Sequence, residues 1–223
     1  MTTFSKFVPD GYCPKEKQQA SRLKKGTSAV ALFIGLKDNP RNHGFDDANY
    51  WIYNSSNHNT NIAPGEVGGA FLSFGSLRNP SQERHTAQLI TFCEYDFFKE
   101  FASKPWMRRG EEYEAMKAEL AEKMLAFVQP HVPNLRSIIE YQELSTPVTF
   151  EKFSAHPAGM VYGQKCNPDR LNRDQWKVGT SLPGLFLTGS DIGSPGINGS
   201  MMASIFTVVK ILGYGCLPRI MGS

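Results

Sequence analysis

The sequence predicts a mixed α/β (α+β) fold, with a mixed β-sheet, one long amphipathic helix and a C-terminal strand–loop–helix. Three observations lead to this class. Several short apolar segments rich in β-branched and aromatic residues are spaced like strands. One later segment changes to helical spacing, and a glycine-rich loop near the C-terminus separates a short apolar run from a second helix. The 223 residues suffice for one large domain or two small ones.

The predicted strands are either continuously apolar or alternate with a period of two residues. They are Ser28–Leu36, Tyr50–Tyr53, Ala70–Ser76 and Ala87–Tyr95, and Leu135–Leu144 is expected to return as a further strand. Before them, residues 1–26 are polar and basic, which predicts a solvated arm or loop.

The long helix is predicted over Glu111–Val128. Its apolar residues recur at helical spacing, and Glu and Lys occupy the opposite side. Such a stripe favours packing in the protein core over a groove for a partner. Pro130 and Pro133 end the pattern.

Charge and cysteine content exclude several classes of protein. The 24 Lys and Arg against 21 Asp and Glu leave a net charge of +3, too weak and dispersed for nucleic-acid binding. The four cysteines are far apart without a CxxC pair, and the five histidines lack ligand spacing, so no metal site is expected. There is neither an apolar leader nor a tract near the roughly 18 apolar residues of a membrane span. The sequence does not indicate the cellular compartment.

The most informative segment is near the C-terminus. Leu185–Thr188 is predicted as a short buried strand, Gly189–Ser200 as a glycine-rich loop and Met201–Leu212 as a helix that ends at Gly213. Glycines allow positive φ and close approach to a ligand. The amides at a helix N-terminus favour negative charge. The alternative is a tight connection that binds nothing.

Two polar residues of this segment suggest binding chemistry. Asn198 suits the N-cap position of the helix. Asp191 follows the predicted strand, where its carboxylate would accept hydrogen bonds from the hydroxyls of a sugar-like chain. The loop matches neither the P-loop nor the GxGxxG pattern.

Gly184–Asp191 and Pro195–Met201 resemble the C-terminal FAD motif of the phytoene desaturase-like flavoproteins, and most closely the retinol saturase and carotenoid isomerase branch. Further segments resemble the same branch, so that the resemblance spans most of the chain. They are Thr146–Thr149, Gly159–Gly163, Phe71–Phe74, Ile90–Phe101 and Gly35–Lys37.

The resemblance implies FAD as cofactor and a polyene lipid as substrate. By position, Asp191 would hold the ribityl–phosphate part of FAD, and the backbone of Ile197, Asn198 and Gly199 would face the pyrimidine side of the flavin ring. Gly189 and Gly196 complete the implied cofactor-binding set. No catalytic side chain is assigned, since the flavin carries the chemistry.

In this family's terms, residues 1–155 are the substrate-binding (cap) domain and residues 156–215 the C-terminal segment of the FAD-binding domain. The family's N-terminal Rossmann βαβ unit with GxGxxG is absent from this sequence. The resemblance therefore implies the C-terminal portion of a longer flavoprotein or a truncated gene product. Alone, the chain is expected to bind FAD weakly or not at all.

Three functions remain open: a FAD-dependent oxidoreductase acting on a retinoid or carotenoid, a flavin-dependent cis–trans isomerase, and a non-catalytic remnant without cofactor. An apolar substrate also suggests peripheral contact with a membrane. Phe92, Phe97, Phe98 and Trp106 either line a polyene tunnel or pack in the core. Arg170 is either a phosphate or loop anchor or a surface residue.

Overall fold

Five strands form one antiparallel sheet in the computed structural model, which describes residues 2–58, 62–168 and 177–222. The strands are β1 Ser28–Leu36, β2 Asn49–Tyr53, β3 Gly69–Ser73, β4 His85–Cys93 and β5 Ile139–Ser145, in the spatial order β2-β3-β4-β1-β5. The mixed α/β class is confirmed. The sequence predicts a sheet of mixed direction, whereas all four pairings between these strands are antiparallel.

A row of leucines crosses the core side of the sheet. Leu72 on β3 pairs with Leu89 on β4, which pairs with Leu32 on β1, which pairs with Leu144 on β5. The first three have no exposed area, and Leu144 is 4% exposed. Because side chains alternate along a strand, this register determines which residues point to the other side of the sheet.

Helix α3 spans Glu111–Val128, as the sequence predicts. Its buried side chains belong to the same core cluster as the leucine row; they are Tyr113, Leu120, Ala121, Met124, Leu125 and Val128. Three glutamates occupy the first turn, where negative charge is favourable to the helix dipole.

The chain divides into two compact units. The sheet unit is Ser28–Ser154, and the terminal unit combines residues 1–27 with residues 155–223. The large core cluster lies within the sheet unit. The terminal unit has a small cluster of its own around Phe4, Val8 and Cys13.

The expectation of a solvated arm at residues 1–26 is wrong. Helices α1 Thr2–Lys6 and α2 Pro14–Ser21 form there, and Phe4 is only 2% exposed. The Phe4 cluster includes Leu182, Leu185 and Leu187. These partners lie more than 170 residues along the chain, so no local pattern reveals them.

Several element ends differ from the sequence prediction. β3 ends at Ser73 because Gly75–Arg78 forms a 3₁₀ turn, and β5 begins only after the 3₁₀ turn Arg136–Ile138. Among the residues that the structure describes, the other α-helices are α4 Pro147–Ser154, α5 Ile197–Leu212 and α6 Leu217–Met221. Gly213 ends α5 as predicted, with a φ of 80° and its amide bonded to the Val209 carbonyl.

The predicted strand Leu185–Thr188 is wrong as a regular strand. Only Phe186 forms a bridge, with Gly179, and the Leu187 amide donates to the Val178 carbonyl. A strand needs a neighbour over several residues, and the described residues supply only this short contact. The element before α5 is therefore an extended segment.

Candidate functional site

The segment that leads into α5 turns twice through backbone conformations suited to glycine. We call residues 189–196 the glycine bend. Gly189 and Gly196, at its two ends, have φ values of 92° and 93°. A Cβ atom at either position would meet nothing within 4 Å. These two glycines are therefore required by conformation, and the space beside them is open.

The first turn of α5 has no side-chain cap. The N-cap residue is Gly196, so the prediction of Asn198 as N-cap is wrong. Asn198 lies one residue inside the helix, next to Ile197, which is 87% exposed. Within the described part of the chain, the amides of Ile197, Asn198 and Gly199 have no hydrogen-bond acceptor. Together with the helix dipole, these donors favour an electron-rich group.

Two other glycines have a packing role. A Cβ atom on Gly199 would overlap the Ser194 carbonyl oxygen, and one on Gly193 would overlap the Gly199 carbonyl oxygen. The bend thus folds tightly against the first turn of α5, and only residues without a side chain fit there. Gly199 is buried, as is Ala203 one turn later.

Asp191 holds two loops of the terminal unit together. Its Oδ1 accepts a hydrogen bond from the backbone amide of Gln164 at 2.9 Å. Gly163, with a φ of 77°, lies so close that a Cβ atom there would overlap this oxygen. Asp191 Oδ2 accepts no hydrogen bond from the residues that the structure describes. Oδ1 therefore has a structural role, because it joins the loop of Gln164 to the glycine bend.

The predicted cofactor-binding residues thus lie along one short path. Gly189, Asp191 and Gly196 follow the bend, and Ile197, Asn198 and Gly199 form the first turn of α5. Arg170, the other candidate anchor, lies outside the described residues.

Helix α5 leaves much of its apolar surface exposed. Gly199 and Ala203 are its buried residues. The exposed apolar side chains are Ile197, Met201, Met202, Phe206, Ile211 and Leu212. A helix that is apolar on more than one side is normally enclosed by other protein.

The side of the sheet away from the leucine row carries exposed aromatic residues. Trp51 pairs with Phe71 across β2 and β3, with ring centroids 4.8 Å apart, and Phe71 pairs with Ile90 on β4. Further exposed aromatics on this side, which we call the aromatic face, are Phe33, Tyr53, Phe92 and Tyr141. Nothing in the sequence marks Trp51 or Phe33 as a candidate site residue, although the period of two in their strands indicates the side they share.

The four aromatic residues for which the sequence leaves open a tunnel or a core position fall into two groups. Phe98 is fully buried and Phe97 packs against the core cluster, so core packing is confirmed for both. Phe92 and Trp106 are 47% and 48% exposed.

The described residues contain no group of three or more His, Cys, Asp or Glu that is suited to a metal ion. Cys93, at the end of β4, packs against the core cluster, and burial raises its pKa to about 12. Its thiol is therefore protonated and unreactive at neutral pH.

Comparison with curated proteins finds relatives that are similar in sequence over most of the chain. Over 230 aligned positions and 94% of the chain, 25% of residues are identical to all-trans-retinol 13,14-reductase of Rattus norvegicus. The Homo sapiens protein of the same name is 24% identical over 89% of the chain. The chain is similar to the all-trans-retinol 13,14-reductases. The resemblance to the retinol saturase branch that the sequence predicts is thereby confirmed.

This chain spans about a third of the relatives' own length, 38% of the rat protein and 36% of the human one. A further relative, from Danio rerio, is named inactive all-trans-retinol 13,14-reductase and is 24% identical over 90% of the chain. No family model matches the chain. Among the described helices, none combines the length and apolar character that crossing a membrane requires.

Proposed function

We propose that this chain is the C-terminal portion of a FAD-dependent oxidoreductase that acts on a double bond of a polyene lipid such as a retinoid or carotenoid. The observation that carries the proposal is the similarity, over 89–94% of the chain, to proteins named all-trans-retinol 13,14-reductase. Their name describes a reduction at positions 13 and 14 of all-trans-retinol.

The start of α5 suits the isoalloxazine end of FAD. The three amides without acceptors would donate to electron-rich atoms of the ring, and the helix dipole would favour negative charge there. Asp191 Oδ2 would accept a hydrogen bond from the ribityl chain. A bound flavin would supply the two-electron chemistry.

The ADP half of FAD needs a second element. Within residues 2–58, 62–168 and 177–222, the strand pairings are antiparallel and no βαβ unit occurs. We propose that another polypeptide portion supplies the dinucleotide-binding half. The exposed apolar side of α5 supports this, because a neighbouring domain would remove Met201, Met202 and Phe206 from water.

The aromatic face of the sheet unit suits the polyene. Trp51 and Phe71 form an apolar strip with Ile90 across three neighbouring strands, roughly 10 Å from first to last. Flat conjugated chains stack well against such rings. On this basis we propose that the substrate-binding role expected of residues 1–155 belongs to Ser28–Ser154, since residues 1–27 lie in the terminal unit, and that residues 156–215 bind the flavin. Because a polyene dissolves in bilayers, peripheral contact with a membrane belongs to the same proposal.

The test compares the chain alone with the chain co-expressed with the part of the rat relative that it does not match. The purified complex is expected to hold FAD, seen as the visible absorbance of oxidised flavin. Once that flavin has been reduced with dithionite, the complex should convert all-trans-retinol to a product heavier by two hydrogens, with the reduced flavin as the source of the two electrons. The chain alone is expected to retain no flavin. Asp191→Asn, which keeps an oxygen for the Gln164 amide but removes the charge, should weaken flavin retention in the complex.

Mass analysis separates the alternatives. A product lighter by two hydrogens indicates desaturation, and an unchanged mass with a new retention time indicates cis–trans isomerisation. The Danio rerio relative named inactive favours a second candidate, a folded non-catalytic remnant. A folded complex without flavin and without product would support that candidate and contradict the oxidoreductase.

A further inference from the structure

One surface turn of the sheet unit combines exposed apolar side chains with positive charges that form no ion pair among the described residues; one of them, Lys104, has its Nζ 5.0 Å from the centre of the Phe101 ring. The turn is Pro105–Arg108, closed by a hydrogen bond from the Arg108 amide to the Pro105 carbonyl at 3.0 Å. Trp106 and Met107 occupy its two central positions and are 48% and 77% exposed. Phe153 of α4, itself 67% exposed, meets the Trp106 ring edge to face at 5.3 Å. We call Pro105–Arg108 together with Phe153 the Trp106 tip.

The backbone of the Trp106 tip is strained at Met107, whose apolar side chain is exposed to solvent. Met107 has a φ of 61°, a conformation in which glycine carries no steric cost. A large apolar side chain here gains nothing from the protein core, because most of it is exposed.

The base of the tip is held firmly. Arg109 is 5% exposed and donates from Nη2 to the Val148 carbonyl at 3.3 Å, and its guanidinium lies 5.2 Å from the centre of the Tyr113 ring. The Tyr113 hydroxyl shares a hydrogen bond with Thr146 at 2.6 Å. These contacts fix the turn to α3 and α4, so that its apolar residues are presented from a rigid base.

Positive charge surrounds the Trp106 tip. Lys104 and Arg108 flank the two central residues, and Lys152 precedes Phe153 on α4. None of the three forms an ion pair with any described residue. Residues 102–110 contain no acidic residue. The acidic residues that border the tip along the chain are Glu100, Glu111 and Glu112, and Glu151, which precedes Lys152, accepts a hydrogen bond from the Tyr95 hydroxyl.

We propose that the Trp106 tip inserts into the headgroup region of an anionic phospholipid bilayer. Tryptophan is favoured at the boundary between headgroups and acyl chains, and methionine and phenylalanine would gain apolar surroundings there. Lys104, Arg108 and Lys152 would lie at the level of the lipid phosphates. The inference rests on the membrane contact proposed above and identifies the surface that makes it.

The test measures co-sedimentation of the full chain with phosphatidylcholine vesicles, with and without phosphatidylserine. The wild-type chain is expected to bind the mixed vesicles. Binding should be weaker to the neutral vesicles, and it should also weaken when the salt concentration is raised. Trp106→Ala should reduce binding about tenfold or more, and Lys104→Gln or Arg108→Gln about fivefold each.

The decisive variant is Met107→Gly. It relieves the left-handed strain, so its melting temperature should equal or exceed that of the wild type, yet its vesicle binding should fall. The matched control is Phe7→Ala in the terminal unit, since Phe7 is also 77% exposed. Its vesicle binding should stay unchanged.

Three outcomes would overturn the proposal: no binding to mixed vesicles, equal losses in Met107→Gly and Phe7→Ala, or a dimer in sedimentation equilibrium that Trp106→Ala dissociates. The last would identify a second copy of the chain as the occupant. The assay contains neither flavin nor retinoid, so a negative result contradicts the membrane contact but does not bear on flavin binding or on reduction of the polyene.

Discussion

Single residues in the terminal unit show how closely its backbone approaches itself. Gly199 has the carbonyl oxygen of Ser194 where a Cβ atom would be, and Gly163 has the carboxylate of Asp191. At both positions the absence of a side chain is a packing requirement. Gly189 and Gly196 differ, since there the conformation alone requires glycine.

Gly199→Ala is expected to destabilise the terminal unit by about 1–3 kcal/mol, because the new methyl group has no space in the bend. Urea unfolding measures the change. Gly215→Ala is the control, since nothing lies within 4 Å of its Cβ position. Equal stability of the two variants would contradict the packing role.

Cys93 should resist alkylation in the folded chain. Burial raises its pKa from 9.0 to about 12, so its thiolate population at pH 8 is roughly a thousandfold lower than in the unfolded chain. Cys166 is exposed and serves as the reactive reference. Peptide mapping after brief iodoacetamide treatment should find Cys166 modified and Cys93 intact, with both modified in urea. Similar rates in the folded chain would refute the burial of Cys93.

At the scale of elements, the alternation along β1 sets the two sides of the sheet. Leu32 belongs to the buried leucine row, whereas its neighbour Phe33 is 45% exposed on the aromatic face. One strand thereby contributes both to the core and to the surface that we propose for the polyene.

Leu32→Ala should cost about 2–5 kcal/mol of unfolding free energy, because it leaves a cavity in the centre of the core. Phe33→Ala should cost about 1 kcal/mol or less, while weakening retinoid binding in the flavin-containing complex. Urea titrations of both variants test the first statement, and retinoid fluorescence titration tests the second. The reverse order of stabilities would mean that the register is wrong.

At the scale of the whole molecule, the large core cluster is formed entirely within the sheet unit. The residues that form this cluster include members of all five strands and of α3, and they lie within one continuous stretch of chain. Such a stretch meets the requirements of an independently folding domain.

Ser28–Ser154, expressed alone, is therefore expected to fold and to unfold in one cooperative transition. Circular dichroism during heating and a dispersed amide NMR spectrum are the measurements. The Leu32→Ala version of the fragment should melt at a lower temperature. A fragment without cooperative melting would show that its core depends on residues outside this stretch.

The sequence alone was sufficient for the elements whose pattern is dense and local. The span of α3, the position of β1 and the C-terminal Gly213 of α5 follow from periodicity and from glycine at a helix end. The resemblance of the glycine bend to the FAD motif of the retinol saturase branch could also be recognised from the sequence, since it depends on residue types at fixed spacing.

Only the tertiary structure decided which apolar residues are buried and which side of the sheet they occupy. Phe98 and Phe92 are the same residue type six positions apart, yet one is fully buried and the other is 47% exposed. Phe4 is buried by leucines from the far end of the chain, and Leu185–Thr188 lacks the neighbour that would make it a strand. Burial and strand pairing are properties of distant partners, and a local pattern of residues does not specify them.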